Sequence, residues 1–290
     1  MPRSAGGFMV APIVGICRFS FLGRGDWSAY LRTRPGSEEE AEAMRRSRDL
    51  LYDDPRLRFR FQSFERLTLA SLRAQTEPDF RFVVLSSAAM PRPWQERLRA
   101  LCATVPQVRL VFSEAGDVGS ALAPLLTGLA QGDGPAVQFR LDDDDCLCAD
   151  YIAHLARAAR AMRDYGPFAF SLPRALLVAH YAGAAPQYCE FVRPFHAAGA
   201  AARLSQPGRS IFAFGHYALM RRFPALVDHG PFGSLQLKFQ GHDSRIVAPT
   251  PGSGVTAMAE ADFRAQLARH FPFLDQADLA GLMALQAGRD

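Results

Sequence analysis

The sequence predicts an α/β protein organised on a mostly parallel central sheet, and two observations carry that expectation. Short apolar runs alternate with helical patterns through the first half of the chain, as strand–helix–strand crossovers require. The fourth apolar run ends directly in Asp142-Asp143-Asp144-Asp145, where an open parallel sheet presents the carboxyl ends of its strands to a ligand.

Taken in order, Ile13-Val14-Gly15-Ile16-Cys17 reads as the first strand. The surrounding apolar stretch, Phe8 to Phe21, is interrupted by Arg18 and has no small-residue cleavage site after it, so it reads as a buried strand and not a signal peptide. Ser37 caps a polar helix that reaches about Leu51, with Glu38, Glu39 and Glu40 complementing its first turn. Phe61 to Gln75 carries apolar residues at helical spacing, and Arg81 to Leu85 is a second strand. Pro93 starts a helix to about Ala103, and Val108 to Phe112 is a third strand. Val118 to Ala130 reads as a helix that Pro124 should disturb, and Gly132 to Pro135 as a turn. Ala136 to Leu141 is the fourth strand, followed by a helix over Ala149 to Arg163. The second half reads differently. Phe168 to Leu172, Ala175 to Tyr181 and Gln187 to Val192 are short strands, and Gly215 to Arg222 is a helix. Phe223 to Gly241 is loop-like, and Ala259 to His270 and Asp275 to Gln286 are terminal helices. No linker divides the chain. The expectation is one domain over 1–290, with a donor-binding half at 1–150 and an acceptor-binding half with the C-terminal helices at 151–290.

The 290 residues suffice for one large domain, and about half of them are hydrophobic. No apolar run is long enough to span a bilayer, which leaves only peripheral membrane association open. Five scattered cysteines make no disulfide framework and point to a reducing, cytoplasmic setting. The net charge is only +4, Lys238 is the sole lysine, and no basic block occurs, which argues against a nucleic-acid partner.

Four like charges at the end of an apolar strand repel one another, and a hard divalent cation such as Mg²⁺ or Mn²⁺ offsets that repulsion. A solvated acidic loop, or a helix start capped by Asp145 or Asp150, is the bland alternative. Arg60, Arg66 and Arg140 carry guanidinium groups suited to bidentate phosphate contact. His216, His229 and His242 lack metal-ligand spacing.

Leu141-Asp142-Asp143-Asp144-Asp145-Cys146-Leu147-Cys148-Ala149-Asp150-Tyr151 resembles the Leu-Asp-x-Asp-Asp-x-Leu-x-x-Asp-Tyr stretch of inverting family-2 glycosyltransferases. Ser71-Leu72-Arg73-Ala74-Gln75-Thr76, with the strand after it, is similar to a second segment of those enzymes, and Gly241-His242-Asp243-Ser244-Arg245 to a third. Arg140 before the aspartates, with Arg60, Phe64 and Leu67-Thr68-Leu69 upstream, resembles the bacterial group named putative rhamnosyl transferases. The likeness covers roughly 55 to 250; the segment 24–55 has no counterpart in it, and Ser86-Ser87 stands where the family carries a base-reading Asp.

The resemblance implies a GT-A-like fold, a nucleoside-diphosphate sugar donor and a divalent metal, Mn²⁺ or Mg²⁺. It implies Asp144 as metal ligand, Asp142 at the metal and the ribose or donor sugar, and Asp145 as support for the metal. Asp143, Arg140, Ser86 and Arg60 are the further donor-side candidates. An acceptor hydroxyl on a saccharide or glycoconjugate needs a base, and Asp243 is the candidate, with Asp228 and Glu190 as rivals. Asp243 also fits an N-cap. Two other functions stay open on sequence: metal-dependent nucleotidyl or phosphoryl transfer, and a non-catalytic carbohydrate-binding protein on the same fold. The first lacks a Gly-rich Lys-Ser/Thr phosphate loop.

Overall fold

The structure, a computed structural model, describes residues 11–24, 33–129, 135–181, 184–239, 249–250, 252–274, 279 and 281–282. The first half of the chain contains β1 (Ile13–Arg18), α1 (Glu38–Leu51), α2 (Asp54–Ser63), α3 (Ala70–Arg73), β2 (Arg81–Ser87), α4 (Arg92–Cys102), β3 (Val108–Ser113), α5 (Val118–Leu129), β4 (Val137–Arg140) and β5 (Asp145–Leu147). The second contains α6 (Tyr151–Ala161), β6 (Phe168–Ser171), β7 (Arg174–His180), β8 (Gln187–Val192), β9 (Ala201–Arg203), α7 (Leu219–Arg222), β10 (Ala225–Val227), β11 (Phe232–Phe239), β12 (Val255–Ala257) and α8 (Glu260–His270).

Two sheets result. The larger has the order β10-β6-β9-β4-β1-β2-β3, and the smaller β12-β8-β7-β11-β5. In the larger sheet β4, β1, β2 and β3 are parallel, as the crossover pattern predicted, and β9 enters antiparallel between β4 and β6. Side chains alternate between two apolar layers, as the strand period of two demands. Val14, Ile16, Val83 and Leu85 pack with Leu122, Leu126, Ile211 and Leu219. Ile13, Phe82, Val84 and Phe139 pack on the other face with Leu98, Ile152 and Leu155. Val111, expected in the core, is only partly buried, because β3 is the sheet's edge. Gly15 is set by packing: a Cβ there would lie 2.3 Å from both Phe82 and Phe139, its partners on the two neighbouring strands.

Several local expectations need correction. The stretch read as a loop over 223–241 contains β10 and the eight-residue β11, a central strand of the smaller sheet. Gly233 sits at a register shift in β11, where a Cβ would meet Leu172 at 2.4 Å; the glycine that suggested a loop admits a close approach. Gly215 to Arg222 is a 3-10 turn followed by only four α-helical residues. α5 runs through Pro124 undisturbed in extent, with Leu122 and Leu126 on either side buried against the sheet. Ser37 caps α1 as expected, its hydroxyl accepting from Glu40 N at 3.2 Å. The helix expected over Asp275 to Gln286, the turn at 132–134 and the segment 25–32 lie largely or wholly outside the described residues.

Candidate active site

β4 ends at Arg140, and the chain then passes through Leu141 and a tight turn, Asp145 N donating to Asp142 O at 3.3 Å, before starting β5 at Asp145. This puts the four aspartates at the carboxyl end of a parallel strand and at the junction of the two sheets. The junction is held from behind by the helical run 54–73, in which a π-helical segment, Phe64–Leu69, separates α2 from α3. A wide turn of this kind re-aims the side chains on either side of it. Thr68 Oγ1 donates to Asp145 O at 2.9 Å and lies 3.3 Å from Asp142 O, and Ser63 Oγ donates to Asp143 O at 3.3 Å. Gln75 ties the next connection down. Its Nε2 donates to Cys148 O at 2.8 Å and its Oε1 accepts from Ile152 N at 3.0 Å, closing the start of α6.

Arg60, on α2, reaches the turn: its Nη1 is 2.5 Å from Asp143 Oδ1 and 3.0 Å from Asp144 Oδ2. Asp142 points elsewhere. Its side chain is 32% exposed and lies 3.8 Å from Arg18 Nη2. Burial pushes the Asp143 carboxyl up to about 7, against the pull of Arg60. Burial also raises Asp145 well above the ordinary range, with the Asp144 charge adding to it and Lys238 opposing. Asp145 stands opposite Gln236 on β11, and Gln236 Nε2 lies 3.3 Å from His196 Nδ1.

The other sequence candidates are distributed more widely. Arg140 is 7% exposed, with its guanidinium 4.6 Å from the centre of the Phe212 ring. Ser86 is fully buried within β2, and its hydroxyl has no hydrogen-bond partner among the described residues. Glu190 accepts from Arg174 Nε at 2.7 Å across β7 and β8. Asp228 accepts from Gly230 N at 2.9 Å and lies 3.3 Å from His154 Nδ1, beside the far edge strand β10. Asp150 has no capping bond into α6; its Oδ2 meets His154 Nε2 at 3.2 Å. Asp243 and His242 lie outside the described residues. Sequence reasoning missed Arg18, Ser63, Thr68, Phe212 and His216 as neighbours of the turn. Arg18 carried a signal as a charge closing an apolar strand, and Thr68 as part of the family stretch Leu67-Thr68-Leu69.

Among the described residues, no three or more His, Cys, Asp or Glu side chains converge into a metal cage. Mg²⁺ and Mn²⁺ bound with phosphate oxygens need only one or two protein carboxylates. Asp142 is 32% exposed, and Asp144 is held against Arg60.

The four aspartates thus close a parallel strand of an α/β sheet, with the guanidinium groups of Arg18 and Arg60 beside them. The family model described as putative rhamnosyl transferase matches residues 12–251, and the chain belongs to that family. No curated protein sequence matches it. Among solved structures, S. aureus TarS aligns at 10% identity and a TM-score of 0.38, over 78% of this chain and 36% of TarS. A putative nucleotide-diphospho-sugar transferase from Desulfovibrio desulfuricans G20 aligns at 10% identity and 0.39, over 97% of this chain and 99% of that one. The mannosyltransferase PcManGT from Pyrobaculum calidifontis, in complex with GDP-Man and Mn²⁺, aligns at 15% and 0.40, over 97% and 72%. The chain thus spans about a third of the full length of TarS.

Proposed function

We propose that this chain transfers a sugar from a nucleoside diphosphate to a hydroxyl of a saccharide or glycoconjugate acceptor, with inversion, assisted by Mn²⁺ or Mg²⁺. The observation that supports this most is the aspartate turn at the carboxyl end of β4, with Arg60, Arg140 and Arg18 around it. Asp142 and Asp144 would hold the cation, and Asp145 would support it from β5. When bound, the cation supplies Lewis-acid stabilisation of the departing diphosphate. Arg60 fixes Asp143 and Asp144 in place. Residues 1–150 would form the donor half and 151–290 the acceptor half. Rhamnose as the transferred sugar rests on the family's description.

Asp243 is the proposed base. β11 pairs antiparallel with β5, so its final residues run past Asp145 toward the side of Asp142 and Asp144. Asp243 follows the end of β11 by four residues in the chain. Both rivals are engaged elsewhere, Glu190 by Arg174 and Asp228 beside His154. A cytoplasmic location is supported by five buried, free cysteines. Among the described residues no helix is long and apolar enough to cross a membrane.

The test is calorimetric titration with UDP-, GDP- and dTDP-sugars, with Mn²⁺ and with EDTA, on wild type and Asp144→Ala. Tight binding that needs Mn²⁺ and disappears in Asp144→Ala is expected. Unchanged binding in the variant removes the metal assignment. Asp243→Asn should keep donor affinity and lose roughly 10²- to 10⁴-fold in transfer; full activity in it removes the base assignment.

A further inference from the structure

We infer that the surface formed by Tyr217, Met220, Arg221 and Arg222, flanked by Arg209 and Arg193, docks on a membrane of anionic lipids. From Phe191 to Val227 the chain carries no aspartate or glutamate, yet it carries Arg193, Arg203, Arg209, Arg221 and Arg222. The acidic residues that bound this stretch are engaged: Glu190 accepts from Arg174 Nε at 2.7 Å, and Asp228 lies 3.3 Å from His154 Nδ1. Arg203 donates to the carbonyls of Met162 and Gly166, each at 2.8 Å, and is no part of the surface. Among the described residues, the other four arginines form no ion pair with a carboxylate. Their placement follows from one anchor. A 3-10 turn, His216–Ala218, runs into α7, and Leu219 is fully buried in the layer that covers the larger sheet. Tyr217, Met220 and Arg221, three and four residues apart, share the side away from Leu219. Tyr217 is 37% exposed, Met220 is 46% exposed, and Arg221 and Arg222 are exposed as well. The Phe214 ring gathers two guanidinium groups, Arg209 at 4.6 Å and Arg222 at 5.6 Å, and Phe223 packs edge-on against it. Arg193 stands 5.7 Å from the Tyr217 ring.

One exposed tyrosine or methionine means little by itself, because folded proteins show many. Apolar tips set among guanidinium groups, with no carboxylate beside them, are the composition of a segment that lies in a membrane interface. Tyrosine suits that boundary, with an apolar ring and a hydroxyl that stays wet. The arginine stems lie along the apolar layer while their guanidinium groups remain at the lipid phosphates. The charge selects the surface: each arginine near an anionic bilayer adds attraction, and a zwitterionic one supplies little. A folded acidic partner would match the charge, but a stable protein interface buries about 1,200 Å² or more, and the tip of one helical turn offers far less. A bilayer does not need that area, since insertion of two side chains and the arginine charges act together. The docked face adjoins the aspartate turn, for the His216 ring touches Tyr217 and lies within the field of Asp142. Docking therefore holds that turn near the headgroups. It is independent of the sugar-transfer reading, and its test needs no activity.

The experiment is co-sedimentation of the full chain with vesicles of phosphatidylcholine, and of equal parts phosphatidylcholine and phosphatidylglycerol, at low and high salt. The proteins are wild type, Arg221→Glu with Arg222→Glu, Met220→Ser, Met220→Leu and Tyr217→Trp, each checked for folding by its melting curve. A matched control, Arg45→Glu with Arg46→Glu, changes two exposed arginines on α1. Wild type should bind the mixed vesicles, leave them at high salt, and ignore phosphatidylcholine alone. The Arg221 and Arg222 double variant should weaken binding about twentyfold or more, and the α1 control far less. Met220→Ser should weaken binding severalfold, and Met220→Leu should keep it. Tyr217→Trp should bind like wild type, and the emission of its added indole should move to the blue on mixed vesicles only. Those last variants carry the test if the double variant folds poorly. Equal loss in the two double variants reduces the effect to net charge and overturns the inference. Bound Tyr217→Trp with unshifted emission overturns it too, because the surface then does not meet lipid. Capture by heparin and not by mixed vesicles assigns the surface to a soluble polyanion instead. None of these outcomes touches donor binding, so the sugar-transfer reading stands or falls by its own titration.

Discussion

Arg60 Nη1 bridges Asp143 and Asp144, at 2.5 Å and 3.0 Å, from 83 and 84 residues away in the chain. The contact joins α2 to the turn after β4, and it sets the charge state of the most buried part of the aspartate cluster. Burial alone favours a protonated Asp143, and Arg60 works against that, leaving the carboxyl raised to about 7.

Replacing Arg60 with Met should therefore destabilise the protein in a pH-dependent way. A carboxylate left in this place without its partner costs on the order of 3–5 kcal/mol. The sign follows from linkage: Asp143 binds its proton more tightly folded than unfolded, so its contribution weakens folding as pH rises from about 4 through 7. Without Arg60 the folded pKa rises further, and the gap between variant and wild type widens with pH. Urea unfolding of both at pH 5.5 and pH 8.5 measures this. An equal loss at the two pH values contradicts the assigned role.

Gly15→Ala tests the packing of the central strand. A methyl group 2.3 Å from both Phe82 and Phe139 forces one ring out of a filled layer. The expected loss is about 1–3 kcal/mol, as for other overpacked cores. Trimming one of the rings, in Gly15→Ala with Phe139→Leu, should recover part of it. A double variant less stable than the sum of the two single changes contradicts the argument.

How much of this was legible in the sequence depends on whether a signal was local. The parallel strands were readable because they are apolar runs bounded by turns, and Ser37 because a cap bonds within its own first turn. The aspartate turn was readable from four like charges closing a strand. β11 was not, because its buried positions include Ser234 and Gln236 and its start is punctuated by glycine and proline. Those polar residues face partners from distant segments, as Gln236 does His196, and no local period encodes such a pairing. Phe212 was invisible for the same reason. Its place beside Arg18 and Arg140 comes from Gln138, which fixes the turn before it from 71 and 73 residues away. Ser71-Leu72-Arg73-Ala74-Gln75 was noticed as a family segment, yet its work, the Gln75 bonds across the start of α6, emerges only with the fold.

His196 supplies an acid limb to the stability profile. Burial pushes its imidazole from the ordinary 6.5 down to about 4, with the Leu172 backbone holding partly against the shift. The folded state thus resists the proton that the unfolded state accepts. The stabilisation is full above pH 6.5 and is lost as pH falls toward 4, by about 3 kcal/mol in all. His196→Asn keeps an acceptor for Gln236 and does not titrate. Its unfolding free energy should fall less steeply than that of wild type between pH 6.5 and 4. Parallel curves for the two proteins rule out the assignment.

Thr68→Val separates the scaffold of the aspartate turn from its charges. Thr68 is fully buried, and its hydroxyl donates to Asp145 O at 2.9 Å with Asp142 O 3.3 Å away, so one side chain steadies both ends of the turn. Valine fills the same volume and removes the hydroxyl's contacts with both carbonyls, at a cost of about 1–3 kcal/mol. The carboxylates themselves are untouched. A displacement of the turn by about 1 Å, however, can lower a reaction that depends on alignment by as much as 10²-fold. The variant should therefore remain folded at 25 °C, bind the nucleoside base as before, and lose far more in transfer rate than in melting temperature. Thr68→Ser retains the hydroxyl and should recover most of the rate while giving up the methyl contacts. Transfer by both variants, from the donor identified by titration, together with their melting curves, decides the point. If serine and valine lose rate equally, the methyl packing and not the hydroxyl holds the turn, and the hydrogen bond to Asp145 has no part in the chemistry.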